Sequence, residues 1–218
     1  MKELNKELTA ELKSMDTPTV CNAMEIVEPS RRGFGYTTRQ MFCLRPESEP
    51  MVGFARTATI SSIHKSDLSP QEIQKVSDSY YAYIDEGPKP SIVVIQDIDT
   101  HPGYGCFWGE VNSAIHKGFG CEGLITDGAV RDLPDVAEGF QMLADRVVPS
   151  HAFVRIVDFK KPVTVAGMHV RHDDIIHADQ HGAVVIPFEA AAMLRGAADK
   201  IIEREQVIIK AARKSGFN

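Results

Sequence analysis

Apolar and polar positions follow helical or strand periodicity along most of the first half of the chain. Thr17 followed by Pro18 predicts the start of a helix, because Thr is a common N-cap and Pro is favoured in the first helical turn. From Glu28 to Pro50 the chain is rich in Arg, Gly, Pro and aromatic residues without periodicity, which predicts a long ordered loop or weak strand. The remaining patterns predict helices over 2–13 and 71–85, strands over 52–60 and 91–99, and turns over 101–109.

The second half of the chain reads as a mixed sheet followed by a long helix. Val111, Ala114 and Ile115 fall on one face of a predicted helix, and Gly118 and Gly120 end it. The pattern further predicts strands over 122–128 and 140–148, a short helix over 131–139, successive strands over 163–187, and a C-terminal helix over about 188–214. The C-terminal helix carries an apolar stripe made of Met193, Leu194, Ala197, Ala198, Ile201, Ile202, Ile208 and Ile209.

The length and composition fit one domain over residues 1–218, and the predicted helices and strands make it an α/β domain. The net charge of -6 is opposite to the basic surface that nucleic-acid binding requires. The apolar runs fall well short of the roughly 20 residues that a membrane helix needs. Four cysteines, at 21, 43, 106 and 121, form no CxxC pair, so we expect a reducing cytoplasm. Together with the short apolar runs and the acidic net charge, this predicts a soluble protein whose partners are small molecules or proteins.

The segment GFGCEG, residues 118–123, matches the letters of a GxGxxG nucleotide motif. A nucleotide fingerprint leaves a strand and enters a helix, so that the phosphates meet the helix N-terminus. Here the order is reversed, because the glycines close a helix and lead into a strand. The segment therefore predicts a helix end and a tight turn. A site for a dinucleotide or a methyl donor is the weaker interpretation.

Two groups of residues at element ends are candidates for chemistry. Glu110 begins a predicted helix whose free N–H groups at Val111 and Asn112 can bind an anion such as a carboxylate. The alternative is that Glu110 only stabilises the first helical turn. Arg131 and Asp132 follow a predicted strand, where side chains open into a crevice. The guanidinium of Arg131 can bind a carboxylate or keto oxygen, and Asp132 with Asp135, three residues apart, can offer oxygen ligands to a divalent cation. The alternative here is a solvated Arg–Asp pair.

Other polar residues support weaker hypotheses. Four histidines, His169, His172, His177 and His181, suggest zinc, but their spacing crosses turns and strands, so turn and core histidines are the preferred interpretation. Arg31, Arg32 and Arg39 in the 28–50 loop are candidates for reading a distal substrate carboxylate, although arginines in exposed loops usually face solvent.

Taken together, WGEVNSAIHKGFGCEGLITDGAVRD (108–132) resembles the signature of the RraA-like family, and HADQHGAVVIP (177–187) resembles a second element of that family. The family includes class II 4-hydroxy-4-methyl-2-oxoglutarate/4-carboxy-4-hydroxy-2-oxoadipate aldolases and the regulator of ribonuclease activity A. The resemblance spans Thr17 to Pro187 and so implies a core of about 17–187 within the single domain. It implies a three-layer β/β/α fold of the swivelling-domain type, assembled as a homotrimer or hexamer with active sites at subunit boundaries.

The resemblance also implies roles for individual residues. Asp132 would bind Mg²⁺ or Mn²⁺ directly, and Glu110 and Asp135 would hold it through water. Arg131 and the N–H groups of Val111 and Asn112 would seat a pyruvoyl group. The twenty residues between Glu110 and Arg131 would then form a helix, a turn and a strand that return the chain to one crevice.

The resemblance implies two functions, and the sequence leaves a third open, here in decreasing order of support. The first is a lyase that cleaves 4-hydroxy-4-methyl-2-oxoglutarate or decarboxylates oxaloacetate to pyruvate through a metal-stabilised enolate, with Arg131, Glu110 and Asp135 as catalytic residues. Lys117 lies within a predicted helix, so a Schiff base is not expected. The second is a non-catalytic regulator that binds a ribonuclease. The third, a methyltransferase, rests on GFGCEG alone.

Overall fold

The computed structural model describes residues 3–217 as a mixed sheet flanked by helices. The helices are α1 (Lys6–Lys13), α2 (Thr17–Val27), α3 (Pro70–Asp85), α4 (Glu110–Gly118), α5 (Phe188–Ala191) and α6 (Leu194–Ala212). The strands are β1 (Phe42–Cys43), β2 (Met51–Ser61), β3 (Ser91–Asp97), β4 (Cys106–Trp108), β5 (Cys121–Thr126), β6 (Ala129–Val130), β7 (Gln141–Ala144), β8 (Arg146–Val147), β9 (Arg155–Phe159), β10 (Val163–Val165), β11 (Met168–Val170), β12 (Ile175–Asp179) and β13 (Gly182–Ile186).

The main sheet has the strand order β1-β7-β5-β3-β2-β12-β13. Strands β2, β3, β5 and β7 run parallel, and β1, β12 and β13 pair antiparallel with their neighbours. One side of the long strand β2 pairs with β3. The other side pairs with β12 near the start of β2 and with β9 near its end. A second, parallel sheet has the order β4-β6-β8, and β10 and β11 form a hairpin.

Residues on the two faces of β2 enter different parts of the core, which defines three layers. Val52 and Phe54 pack among residues of α1, α2 and α6, and Ala58 further along the same face packs with α3. Met51 and Ala55, on the opposite face, pack with the β10–β11 hairpin. Both faces of the strand therefore carry buried apolar residues, as expected for a covered parallel sheet. The predicted β/β/α layering is confirmed.

Several predicted element ends needed correction. Asp16 caps α2 by accepting a hydrogen bond from Thr19 N–H, so Thr17 is the first helical residue rather than the cap. The short helix expected over 131–139 is reduced to one 3-10 turn, Leu133–Asp135. The strand expected over 140–148 is divided between β7 and β8, which belong to different sheets. The turn-rich segment 101–109 contains β4, which pairs with β6.

The predicted apolar face of α4 is wrong. Val111 is 68% exposed, whereas Ser113 and His116 are fully buried. The His116 ring satisfies both of its nitrogens: Nδ1 bonds the Asn112 carbonyl at 2.6 Å and Nε2 lies 2.8 Å from the Tyr80 hydroxyl. Burial lowers the pKa of His116 from 6.5 to about 4, so the ring is neutral at pH 7. The face of α4 that carries Ser113 and His116 therefore packs into the core, and Val111 lies at the surface.

Only the first part of the C-terminal helix belongs to the core. Leu194, Ala197 and Ala198 are buried, whereas Ile202 and Ile208 are exposed, so the predicted apolar stripe is covered along half of its length. The short α5 precedes α6, from which it is separated by Ala192 and Met193. Across residues 3–217, none of the helices combines the length and apolar character needed to cross a bilayer.

Candidate functional site

The two ends of the 108–132 segment meet because β4 and β6 are parallel neighbours. Trp108 pairs with Val130, so Gly109 and Arg131 follow adjacent strands at one edge of the small sheet. The Arg131 N–H donates to the Trp108 carbonyl at 2.9 Å. The chain between them forms α4, a turn through GFGCEG and β5, as the sequence predicts. Glu110 therefore lies beside Arg131 and Asp132.

The carboxylate of Asp132 lies at the centre of this meeting point. Its Oδ2 is 3.3 Å from Arg131 Nε and accepts a 3.4 Å hydrogen bond from the Glu110 N–H. The Asp132 backbone is left-handed, with φ 52°, so Asp132 precedes the 3-10 turn instead of sharing a helical turn with Asp135. A Cβ atom at Gly109 would lie 2.3 Å from Oδ2, so only glycine leaves room for the carboxylate here.

The N-terminus of α4 opens into the same place. Gly109 is the N-cap and supplies no side-chain hydrogen bond. Within residues 3–217, the N–H groups of Val111 and Asn112 have no hydrogen-bond partner. The Asn112 side chain is held by the Phe107 carbonyl at 2.5 Å and by the Tyr81 hydroxyl at 2.8 Å, which fixes the helix start. The cavity measures about 240 Å³ and is lined by Phe107, Gly109, Val111, Asn112, Arg131, Asp132 and His151.

The acids predicted to surround a metal ion do not form a preassembled ligand cluster within the described residues. Glu110 and Asp135 are both exposed, and the Asp135 N–H donates to the Asp132 carbonyl at 2.9 Å. No group of three His, Cys, Asp or Glu side chains suited to a metal ion occurs within residues 3–217. The single carboxylate of Asp132 in an open cavity nevertheless fits Mg²⁺, which usually keeps several waters and takes one or two protein carboxylates.

His151 was missed by the sequence analysis, although it lines the cavity with Arg131 and Asp132. It belongs to the loop after β8, and its Nδ1 lies 2.9 Å from the Cys106 carbonyl. An isolated histidine in a loop has no periodicity or motif spacing that relates it to residues 108–132. Only the pairing of β4, β6 and β8 brings the loop to this edge.

The other residues considered for binding lie elsewhere. Arg31 stacks on Phe34 and donates to the Val185 carbonyl, and neither it nor Arg32 or Arg39 lines the cavity beside Asp132. His177 is buried, with Nε2 within 3.1 Å of the carbonyl oxygens of Leu12 in α1 and Met15 just after it, as expected for a core histidine. His181 bonds Asp179, and His172 bonds Asp173.

A buried acid supports the strand end that precedes the site. Asp127 follows β5, and its Oδ1 accepts a 2.8 Å hydrogen bond from the Asp97 N–H, which ties β5 to the end of β3. Burial raises the pKa of Asp127 to about 6, and the nearby Asp97 carboxyl adds to the rise. Arg39, 3.9 Å from Asp127 Oδ2, opposes it only weakly because its side chain is largely exposed.

Comparison with known families and structures gives one consistent result. Residues 17–185 match the sequence profile of the RraA-like family, described as Aldolase/RraA. No curated protein sequence matches the chain.

Three solved structures illustrate the similarity of fold. One, titled as novel cellulases from microbes associated with the gut ecosystem, has a TM-score of 0.76 at 21% identity, covering 94% of this chain and 88% of the other. An uncharacterized protein from Pseudomonas syringae pv. tomato has a TM-score of 0.73 at 20% identity, with coverage of 98% and 92%. RraAS2 from Streptomyces coelicolor, described as an unusual member of the RNase ES inhibitor RraA family, has a TM-score of 0.71 at 21% identity, with coverage of 98% and 100%. At these identities the likeness establishes the fold alone.

Proposed function

Because this chain belongs to the RraA-like family, which includes aldolases and RraA regulators, we propose that it is a divalent-metal-dependent aldolase and decarboxylase of 2-oxo acids that releases pyruvate. The observation that carries the proposal is the convergence of the Arg131 guanidinium, the Asp132 carboxylate and an unsatisfied helix N-terminus on one cavity. A site built only for docking has no need of these groups together.

The pyruvoyl end of a substrate suits the donors around the cavity. The free N–H groups of Val111 and Asn112 can bind its carboxylate, assisted by the dipole of α4. The Arg131 guanidinium can then bond the keto oxygen, and each charge-assisted hydrogen bond of this kind contributes about 1.5–3 kcal/mol. Because Arg131 Nη1 lies 3.4 Å from the Pro149 carbonyl, its side chain is already oriented along the cavity wall.

Asp132 is the residue that would hold Mg²⁺ or Mn²⁺ directly, with Glu110 and Asp135 acting through water. A bound divalent cation stabilises the negative charge that develops on the keto oxygen when the C3–C4 bond breaks. Arg131 stabilises the same charge from the protein side, because its guanidinium cannot lose its proton at neutral pH. Phe107 contributes an apolar side chain to the cavity wall.

A Schiff-base mechanism finds no support in the arrangement. Lys117 lies in the last turn of α4, at the opposite end from Glu110, and its Nζ donates to the Gly139 carbonyl at 2.8 Å. Carbonyl activation therefore falls to Arg131 and the cation. We further propose a homotrimer or hexamer with sites at subunit boundaries, since exposed Val111 leaves an apolar edge on the cavity and RraA-like proteins are commonly oligomeric.

The test is release of pyruvate from oxaloacetate and from 4-hydroxy-4-methyl-2-oxoglutarate with Mg²⁺ or Mn²⁺, corrected for the reaction of the metal alone. We expect activity to disappear with EDTA, and to fall at least about 100-fold in Arg131→Ala and in Asp132→Asn, by analogy with the loss of an oxyanion donor.

The matched control is Arg32→Ala, which removes an exposed arginine that pairs with Glu25 and does not line the cavity. It is expected to keep wild-type activity. A folded wild-type protein that releases no pyruvate from either substrate would contradict the proposal and leave the ribonuclease-binding regulator as the better hypothesis.

A further inference from the structure

His151 is the one titratable side chain of the cavity that the proposed function leaves without a role. Its Nδ1 lies 2.9 Å from the Cys106 carbonyl oxygen. A carbonyl oxygen can only accept, so Nδ1 carries the proton, and the neutral ring presents the lone pair of Nε2. Within residues 3–217, no hydrogen bond uses Nε2. The ring is thus oriented at one nitrogen and available at the other.

The loop that carries His151 is fastened to the small sheet. The Cys106 N–H donates to the Ser150 carbonyl at 2.9 Å, and the Phe153 N–H donates to the Ser62 carbonyl at 2.9 Å. A Cβ atom at Gly105 would lie 2.4 Å from the His151 carbonyl oxygen, so the two backbones are in close contact. These bonds place His151 on the cavity wall through the backbone, and a fixed position is what a proton acceptor requires.

The groups that bind the pyruvoyl end of the substrate determine which part of the substrate lies near His151. Arg131 and the N-terminus of α4 are assigned to the pyruvoyl end by the proposed function, on which this inference rests. The C4 group then extends toward the rest of the lining, which includes His151 and Phe107. Arg131 and Asp132 are the charged side chains that share the cavity, and neither is bonded to the imidazole.

We propose that His151 is the base of the retro-aldol reaction and takes the proton of the substrate C4 hydroxyl. As Nε2 accepts that proton, the O–H bonding pair becomes the new carbonyl bond at C4. The C3–C4 bond breaks, and its electron pair remains on the three-carbon enolate. The enolate carbon takes a proton from water at the open mouth of the cavity to give pyruvate, and His151 returns its proton to solvent. The Nδ1 bond to Cys106 strengthens while the ring is charged.

Two substrates separate this role from a structural one. Cleavage of 4-hydroxy-4-methyl-2-oxoglutarate requires removal of a hydroxyl proton, whereas decarboxylation of oxaloacetate breaks the C3–C4 bond with loss of CO₂ and removes none. We therefore expect His151→Gln to lower kcat for the hydroxy acid at least about 100-fold, the typical contribution of a general base, and to leave decarboxylation unchanged. His151→Asn should behave in the same way.

The control is His169→Gln, which changes an exposed histidine on the β10–β11 hairpin and should affect neither reaction. Decarboxylation in the same sample reports an intact site, so poor folding of a variant cannot imitate the selective loss. Equal losses on both substrates, or no loss on either, would overturn the role of His151 while leaving the proposed function in place. A wild-type protein that decarboxylates oxaloacetate but does not cleave the hydroxy acid overturns it too. A wild-type protein inert on both substrates overturns the proposed function and this inference together.

Discussion

Replacing Gly109 with alanine tests whether the Asp132 carboxylate binds the metal ion and is needed for activity. The added Cβ would lie 2.3 Å from Asp132 Oδ2, whereas ordinary contacts of a Cβ begin near 3.4 Å. The carboxylate must therefore move by about 1 Å, a displacement that costs roughly 100-fold in rate when it affects a reacting group. The Gly109 backbone is extended, with φ -164°, so alanine itself is unstrained there. The short Asp132 side chain can rotate away, so we expect the fold to survive.

The assay combines pyruvate release with Mn²⁺ binding measured by calorimetry. We expect kcat/KM of Gly109→Ala to fall about 100-fold, equivalent to about 2.7 kcal/mol of transition-state stabilisation, and Mn²⁺ affinity to fall with it. Thermal unfolding should change little. Gly118→Ala is the matched control, because a Cβ at Gly118 meets nothing within 4 Å. A folded Gly109→Ala protein with wild-type activity and Mn²⁺ affinity would refute the assignment of Asp132.

Three further predictions concern stability. Unfolded Asp127 ionises near pH 3.8 but native Asp127 near pH 6, so the group destabilises the fold by about 3 kcal/mol as the pH rises from 4 to 6. The advantage of Asp127→Asn over wild type in urea unfolding should accordingly be larger at pH 7 than at pH 4, and equal differences would contradict this. Native His116 resists protonation down to about pH 4, so its contribution is complete above pH 6.5 and about 3 kcal/mol is lost as the pH falls to 4. His116→Gln should lose less stability over that range, and an unchanged pH dependence would exclude His116 as its source. Phe54→Ala, at a fully buried position, should lower the free energy of unfolding by about 3–5 kcal/mol in denaturant titrations, and a loss below 1 kcal/mol would show that the packing around β2 is misassigned.

The features that the sequence predicted correctly depend on residues that are close together in the chain. Strand β2 could be identified from the alternation along 52–60, and β3 from its run of β-branched residues, because these patterns are typical of strands in a covered sheet. The helix, turn and strand between Glu110 and Arg131 were predicted from periodicity, whereas the return of Arg131 to Glu110 was implied by the resemblance to the RraA-like signature. These features depend on short-range periodicity and on the general rule that parallel strands end at one edge.

The features that the sequence did not predict depend on contacts between residues that are far apart in the chain. The buried face of α4 depends on Tyr80, which bonds His116 from a helix 36 residues earlier in the chain, so periodicity counted a buried histidine as polar. Strand β4 has three residues and lies in turn-like sequence, and it exists as a strand because β6 is beside it. His151 reaches the cavity through the same small sheet.

The left-handed backbone at position 132 limits which residue types fit there, but it does not require a negative charge. Aspartate, asparagine and glycine tolerate that conformation, and other side chains are strained in it. A single change to asparagine would keep the backbone while removing the negative charge. Under the proposed function, Asp132→Asn would therefore leave a protein of the same fold whose cavity lacks the charge that would hold the cation.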